Sequence, residues 1–354
     1  MKIYLVGGAV RDKLLNLPVR ERDYVVVGSN PEQMQALGFT QFDPKFPVFN
    51  HPETKAEYAL ARRERKVGHG YKGFVIDASS DVTLEEDLAR RDLTINAIAE
   101  DITTGKIIDP FDGLIDLKIR CLRHINPSFA DDPLRILRLA RFAARFDHLG
   151  FKVADATFKI LTHMAKQEEL VSLFPNRFSM EMVKALATQS PWCFFDLLYR
   201  CGVLNKLLPC VAQVLGPPTL HTQQPLSSPI IIMQRITTQT SNSMIRFAAF
   251  FQAVLAITEL NNNHWQKLQV EKSWLNLLSL GQAWPAFKII QATPENIFEF
   301  FTTHRLLQHP ERVEPLIQLW YALDPINADA ANIKIKKALQ AVNKIHAAIF
   351  SDQR

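Results

Sequence analysis

A single change of periodicity, near Pro127, limits what this chain can fold into. Before it, strand-like and helix-like segments alternate. Lys2–Val6 is a short β-branched and aromatic run; Gly7-Gly8 follows, then a helical stretch Ala9–Leu15 stopped by Asn16 and Pro18, then the run Asp23–Val27. Asn30 and Pro31 mark a helix start that Gly38 closes. Glu57–Arg62 and Gly73–Ile76 read as further strands, separated by the basic, glycine-containing stretch Arg62–Gly70. Beyond Pro127 apolar residues recur at helical spacing, in Asp132–Phe146, Asp155–Lys166, Arg177–Thr188, Cys193–Leu208 and Asn332–Ile349. Val211–Asn242 is rich in Pro, Gln, Ser and Thr and reads as a connection or loosely packed segment. The expected fold is an α/β head, a small mixed sheet with helices, followed by an all-α neck, body and tail. Expected boundaries are residues 1–123 for the head, 124–210 for the neck and 211–354 for the body and tail.

A chain of 354 residues exceeds one ordinary domain, and 47% hydrophobic residues suffice for substantial cores. The net charge of +5 fits a polyanionic partner without demanding one, because clustering matters more than the total. Met1–Val6 is too short an apolar run before its glycines to be a signal peptide, and no run reaches the length of a membrane span. Cys121, Cys193, Cys201 and Cys210 form no CxxC pair. They are expected to be reduced, in a cytoplasmic protein.

Three local patterns carry chemistry. The first is strand, Gly7-Gly8, helix, with Arg11 one turn in. Glycines let a phosphate approach the backbone, and arginine adds charge-assisted hydrogen bonds, although a glycine pair by itself is equally a tight turn. The second is Glu21-Arg22-Asp23. On a strand, positions i and i+2 project from one face, so both carboxylates would lie together as hard oxygen ligands for Mg²⁺. An isolated pair of this kind is as readily solvated, but here it adjoins the glycine turn and precedes the apolar run Tyr24–Val27. Glu57 is a candidate third carboxylate. The third is Arg90-Arg91-Asp92-Leu93-Thr94-Ile95-Asn96-Ala97, whose arginines suit a triphosphate; Asp92 would accept from a ribose hydroxyl or pair with an arginine.

Taken in order, Gly7-Gly8-Ala9-Val10-Arg11-Asp12, Glu21-Arg22-Asp23, Phe46-Pro47-Val48-Phe49, Glu57–Arg62, Arg90–Ala97 and Asp109-Pro110-Phe111-Asp112-Gly113 resemble the bacterial class II CCA-adding enzymes. These are tRNA nucleotidyltransferases with a polymerase-β-like palm. The resemblance implies addition of C, C and A to the 3′ end of tRNA from CTP and ATP, with release of pyrophosphate. It implies nucleotide binding by Gly8, Arg11 and Arg91, and catalysis through Mg²⁺ held by Glu21 and Asp23. The family ordinarily has Asp where Glu21 stands; the extra methylene asks the metal geometry to adjust. Asp131-Asp132-Pro133-Leu134-Arg135 resembles the family's Glu-Asp-x-x-Arg motif, with Asp131 replacing Glu. It implies that Asp132 and Arg135 offer a donor–acceptor edge to the incoming base, with Arg138 and Arg141 as further nucleotide contacts. Read from spacing alone, Arg135, Arg138, Arg141 and Arg145 form one basic stripe opposite Ile136, Leu139 and Phe142–Ala143. Arg145 is a surface residue or an RNA backbone contact on that reading. Arg177, Glu181 and Lys184 resemble a family motif that braces the neck.

Many relatives carry a C-terminal His-Asp phosphohydrolase. This chain has no His-Asp doublet; Gln252 and Ala253 stand where its ligands would be, so no phosphohydrolase activity is expected. The helical C-terminal half is expected to cradle the tRNA elbow while the head meets the acceptor end, in a monomer without membrane contact. Two alternatives remain: an A-adding enzyme or poly(A) polymerase of the same superfamily, and a catalytically silent tRNA-binding protein.

Overall fold

The computed structural model describes residues 1–41, 46–68, 73–173, 176–216, 228–258 and 268–351. The chain divides into two compact units, Met1–Leu173 and Phe174–Arg354.

The first unit is built on a seven-stranded mixed sheet. Its strands are β1 (Lys2–Val6), β2 (Asp23–Val27), β3 (Thr40–Gln41), β4 (Val48–Asn50), β5 (Glu57–Leu60), β8 (Ala99–Asp101) and β9 (Ile107–Ile108). The spatial order is β3-β4-β5-β2-β1-β8-β9. Only the β2–β5 pair is parallel; Asp23 lies opposite Glu57, and across the antiparallel β1–β2 pair Asp23 lies opposite Val6. Alternation sorts β2 onto two cores. Val25 joins Tyr4, Val6, Ala97, Ala99 and Leu88 on one face, the last from helix α3 (Leu84–Ala89). Val26 joins Phe49, Tyr58, Leu60 and Met34 on the other, the last from α2 (Pro31–Ala36). The expected start of α2 holds: Asn30 caps it by accepting from the Gln33 N–H, with Pro31 in its first turn. The Thr83 side chain and Glu86 form a reciprocal capping box on α3.

Around the sheet run α1 (Gly8–Leu14), α4 (Gly113–Lys118), α5 (Leu134–Phe146) and α6 (Asp155–Met164). Part of the basic stretch after Arg62, read from sequence as a separator, is a strand. Arg63–Lys66 (β6) pairs with Phe74–Asp77 (β7) in a two-stranded ribbon, tied by Arg63 to Asp77 at 2.9 Å. Its four charged residues cover no core, so no apolar alternation marked it. The neck is not purely helical either, because Cys121–Leu122 (β10) pairs with Lys152–Val153 (β11).

The second unit is helical: α7 (Asn176–Leu186), α8 (Trp192–Arg200), α9 (Val203–Leu207), α10 (Pro209–Leu215), α11 (Pro229–Gln239), α12 (Ser243–Leu255), α13 (Lys272–Ala283), α14 (Ala286–Gln291), α15 (Pro294–Thr303), α16 (Val313–Leu323) and α17 (Pro325–Ser351). The expected helix Cys193–Leu208 is broken at Gly202, whose φ of +88° no helix accommodates. The polar segment Val211–Asn242 holds most of α10 and all of α11, since Pro209 and Pro229 open helices; its residues 217–227 lie outside the described ones. Buried phenylalanines 194, 195, 247, 250 and 251 form the core, with Phe195 stacked on Phe250 at 4.0 Å. Arg246, only 4% exposed, donates to the carbonyls of Leu186, Thr188, Thr240 and Thr237, at the ends of α7 and α11. No described helix is long and apolar enough to cross a membrane.

Candidate active site

The glycine turn is where two guanidinium groups meet the backbone. Gly7 has φ +66°, and its N–H donates to Ile98 O at 3.2 Å. A Cβ on Gly7 would stand 2.7 Å from Arg91 Nη1, and one on Gly8 would stand 3.3 Å from Arg11 Nη2. Side chains at either position would displace an arginine, so the residue type follows from the crowding as much as from the turn.

Asp23 opens β2 directly opposite Val6, the residue before that turn. Crowding by protein raises the Asp23 pKa above the ordinary carboxylate range; Arg91 opposes this and Glu21 adds to it. Arg91 and Glu21 are therefore both electrostatic neighbours of Asp23. Glu21 itself precedes the strand, so the expected i, i+2 alignment on one strand does not apply; its proximity arises from the exposed approach to β2. Glu57 faces Asp23 across the parallel pair, on the same row of the sheet. Among the described residues, no three His, Cys, Asp or Glu side chains gather closely enough to form a complete metal cage.

The arginine motif is held from beneath by a carboxylate that sequence reasoning passed over. Asp87, wholly buried, accepts from Arg90 Nη2 at 2.8 Å and Arg91 Nη2 at 3.2 Å, while Glu64 accepts from Arg90 Nη1 at 2.9 Å. Despite its burial, those two arginines hold Asp87 below the ordinary carboxylate range. The i,i+3 and i,i+4 spacing from Asp87 to Arg90 and Arg91 was a legible signal. Arg91 Nε is buried with no hydrogen-bond partner. Asp92 is not left for a ribose: it accepts from Leu93 N (2.9 Å), Asn96 Nδ2 (2.8 Å) and Arg138 Nε (2.8 Å). Asn96 in turn accepts from Arg11 Nη1. Asp109 caps α4, accepting from the N–H groups of Gly113 and Leu114 at 2.8 Å each.

Arg11 is 3% exposed. Its guanidinium binds Asp12 and Asn96 and lies over the rings of Phe142 (5.4 Å) and Phe146 (5.0 Å), both on α5. Asp132 accepts from the Leu134 N–H at 2.9 Å. Burial raises its pKa, opposed by that N–H and by Arg135 and Arg138. Arg135 is buried and donates to the carbonyls of Ser128 and Arg90. Arg138 reaches Asp92, Arg141 lies over Phe142 at 4.3 Å, and Arg145 binds Asp12 at 2.7 Å. The stripe is thus not opposite Phe142. Arg138 and Phe142 are four residues apart and share a side of the helix, the ring serving as a platform for Arg11, Arg138 and Arg141. Arg145, read as a surface residue or RNA backbone contact, keeps 34% of its side chain exposed while pairing with the buried Asp12. In the second unit, Glu181 of α7 is buried. Gln252 donates to Gly281 O at 3.0 Å and Ala253 is 4% exposed, both within α12.

A mixed sheet with an acid beside a glycine turn and an arginine pair is the arrangement of a nucleotidyltransferase. Residues 3–123 match the family described as Poly A polymerase head domain, and residues 150–215 match the probable RNA and SrmB-binding site of polymerase A. The multifunctional CCA protein of Thioalkalivibrio sulfidiphilus is 42% identical over 340 residues, covering 90% of this chain and 83% of that protein. This chain belongs to the multifunctional CCA protein family. The Shewanella frigidimarina member is 51% identical over 253 residues, which are 70% of this chain and 61% of that protein. The Actinobacillus pleuropneumoniae member is 56% identical over 225 residues, 64% of this chain and 54% of that protein. Against these two the match spans less than two thirds of the relative's length. The fold is that of the Bacillus stearothermophilus CCA-adding enzyme crystallised with CTP (TM-score 0.65, 22% identity, 96% of this chain and 78% of that one). It is equally that of a tRNA nucleotidyltransferase complexed with a primer tRNA and an ATP analogue (TM-score 0.65, 23% identity, 98% and 96%).

Proposed function

We propose that this protein adds C, C and A to the 3′ end of tRNA, using CTP and ATP and releasing pyrophosphate, by a two-metal mechanism. The observation that carries it is the placement of Asp23 opposite Val6, one residue from Gly7, where the missing Cβ makes room for Arg91. Acid, glycine turn and arginine therefore converge at one end of the central strands β1 and β2. Its relatives carry the name multifunctional CCA protein, which supports this reading.

CCA-adding enzymes use divalent cations, and we take Mg²⁺ as the cation here. Glu21 and Asp23 supply two hard oxygen donors; Mg²⁺ ordinarily accepts one or two carboxylates and completes its shell with water and substrate phosphates. The fit is supported by Asp23 itself, whose raised pKa reflects crowding and a neighbouring acid, conditions that a cation relieves. When bound, such cations activate the attacking 3′-hydroxyl and neutralise charge on the phosphates. Glu21 and Asp23 hold them; Gly8 gives the nucleotide access to the backbone. Arg91, with a buried N–H lacking a protein partner, orients the triphosphate while Asp87 anchors it. Arg11 supports the same wall of the pocket from inside. Asp132 and Arg135, at the start of α5, present the edge that selects the base, with Arg138 and Arg141 beside them. The head spans residues 1–123, the neck 124–210 and the body and tail 211–354, which follow the tRNA elbow. The protein works as a cytoplasmic monomer. No phosphohydrolase activity is expected, since Gln252 and Ala253 stand in α12 where the His-Asp ligands would be and the Gln252 amide donates to Gly281 O.

The test is extension of tRNA lacking its CCA end, with CTP and ATP. Three added nucleotides are expected, and Asp23→Asn is expected to cost about 1,000-fold or more in rate while the fold is retained, as for loss of a metal-holding acid. Incorporation of ATP alone, indifferent to CTP, would identify an A-adding or poly(A) enzyme instead. tRNA binding without turnover, unchanged by Asp23→Asn, would identify a silent binder.

A further inference from the structure

The polar contacts between α5 and the head close into a ring. Asp12 Oδ1 accepts from Arg11 at 2.9 and 2.8 Å, Arg11 donates to Asn96, and Asn96 donates to Asp92 Oδ1 at 2.8 Å. Asp92 Oδ2 accepts from Arg138 of α5 at 2.8 Å, and Asp12 Oδ2 accepts from Arg145 of the same helix at 2.7 Å. Arg11, Asp12, Asp92 and Asn96 are each at most 6% exposed, so water does not replace a broken link cheaply. Arg138 and Arg145 lie two helical turns apart, about 10.5 Å along the axis. With Arg135 held to the carbonyls of Ser128 and Arg90 near the start of the helix, Arg145 is the polar tie at its other end.

We propose that Arg145, through Asp12, is a specificity-determining positioning residue for nucleotide choice. The inference rests on the transferase function above, in which Asp132 and Arg135 at the other end of α5 select the base. Arg138 lies between that pair and Arg145. Released at Arg145, α5 keeps its apolar packing and its Arg135 and Arg138 contacts but settles differently against the head at its C-terminal end, and its first turn shifts slightly relative to the glycine turn and Arg91. The phosphate grip is untouched, because Arg91 is anchored by Asp87. The base-reading edge loses its register, and a pyrimidine that presents the wrong edge is rejected less well.

The experiment is single-nucleotide extension of tRNA lacking CCA, with CTP or UTP as sole nucleotide, giving the ratio of their kcat/KM values. This ratio is independent of the fraction of folded protein, so a merely stabilising role for Arg145 leaves it unchanged. Arg145→Gln is expected to lower the CTP-over-UTP ratio about tenfold, a displacement effect on transition-state geometry. Asp12→Asn should lower it similarly, and the double variant should be no worse than the poorer single one, as partners in one contact. Arg145→Lys keeps the charge and restores most of the ratio; it also carries the test, against Arg145→Met, should the Gln variant be insoluble. A ratio within about twofold of wild type in every soluble variant would overturn the proposal, since twofold is below the effect of losing a positioning contact. Failure of the wild-type protein to incorporate CTP would instead overturn the transferase function.

Discussion

Asp23 sits between opposing influences, and this has a measurable consequence. Desolvation by the surrounding protein and the charge of Glu21 raise its pKa, while Arg91 lowers it. A carboxyl whose pKa is raised keeps its proton to a higher pH, and proton and cation compete for the same oxygens. The acid limb of Mg²⁺-dependent activity should therefore lie above the usual carboxylate range. Glu21→Gln removes one raising influence, so the limb should move to lower pH even as more Mg²⁺ is needed for saturation. A limb that stays put would show that the two acids do not interact. Asp23 was legible in the sequence because an acid opening an apolar strand needs a reason. Arg11 was less so. Its place after Gly8 suggested a phosphate contact, but the side chain is enclosed by Asp12, Asn96 and two phenylalanines contributed by a helix more than a hundred residues later. Local sequence cannot report a partner so distant.

Among the elements, the motif Asp109–Gly113 shows how a catalytic-looking pattern can be structural. Asp109 caps α4, Asp112 adopts a left-handed φ of +59°, and a Cβ on Gly113 would stand 2.4 Å from Thr94 O and 2.8 Å from Ile98 Cγ1. That contact packs α4 against the segment that carries the arginine motif. Gly113→Ala is expected to cost roughly 2–3 kcal/mol through forced backbone movement, read as a lower urea midpoint. A midpoint equal to wild type would mean that the segment yields freely. Element type was legible wherever a core face imposed a period, as in β2, α2 and α5. It failed where no face was imposed, in the charged ribbon β6, and where proline-rich composition concealed helix starts, in α10 and α11. The face of α5 was misread because spacing alone put Phe142 opposite the arginines, whereas the long cationic side chains lie along its ring while Arg138 and Arg145 reach buried acids.

At the scale of the molecule, the two units have separate means of holding themselves together. The first has apolar cores on both faces of its sheet and buried ion pairs around Arg11 and Asp87; the second has a phenylalanine core and Arg246, which satisfies carbonyls at the ends of two helices. Arg246→Met leaves those carbonyls without a donor and is expected to cost about 3 kcal/mol, the sum of a few unsatisfied buried acceptors. Calorimetry should show the loss in one transition, with Gly113→Ala moving a different one; a common shift by both variants would indicate a single cooperative unit. The neighbourhood of Gln252 limits what its positions can hold. Its amide oxygen would lie 2.6 Å from a Cβ on Gly281, which would also be 2.5 Å from Leu319 Cδ2, and Ala253 is embedded in the phenylalanine core. Placing His and Asp at positions 252 and 253 would therefore bury an acid among hydrocarbons and would not make a hydrolase. Packing this close accepts at these positions only side chains of the size and polarity already there, so chemistry that needs room and charge has no foothold in α12.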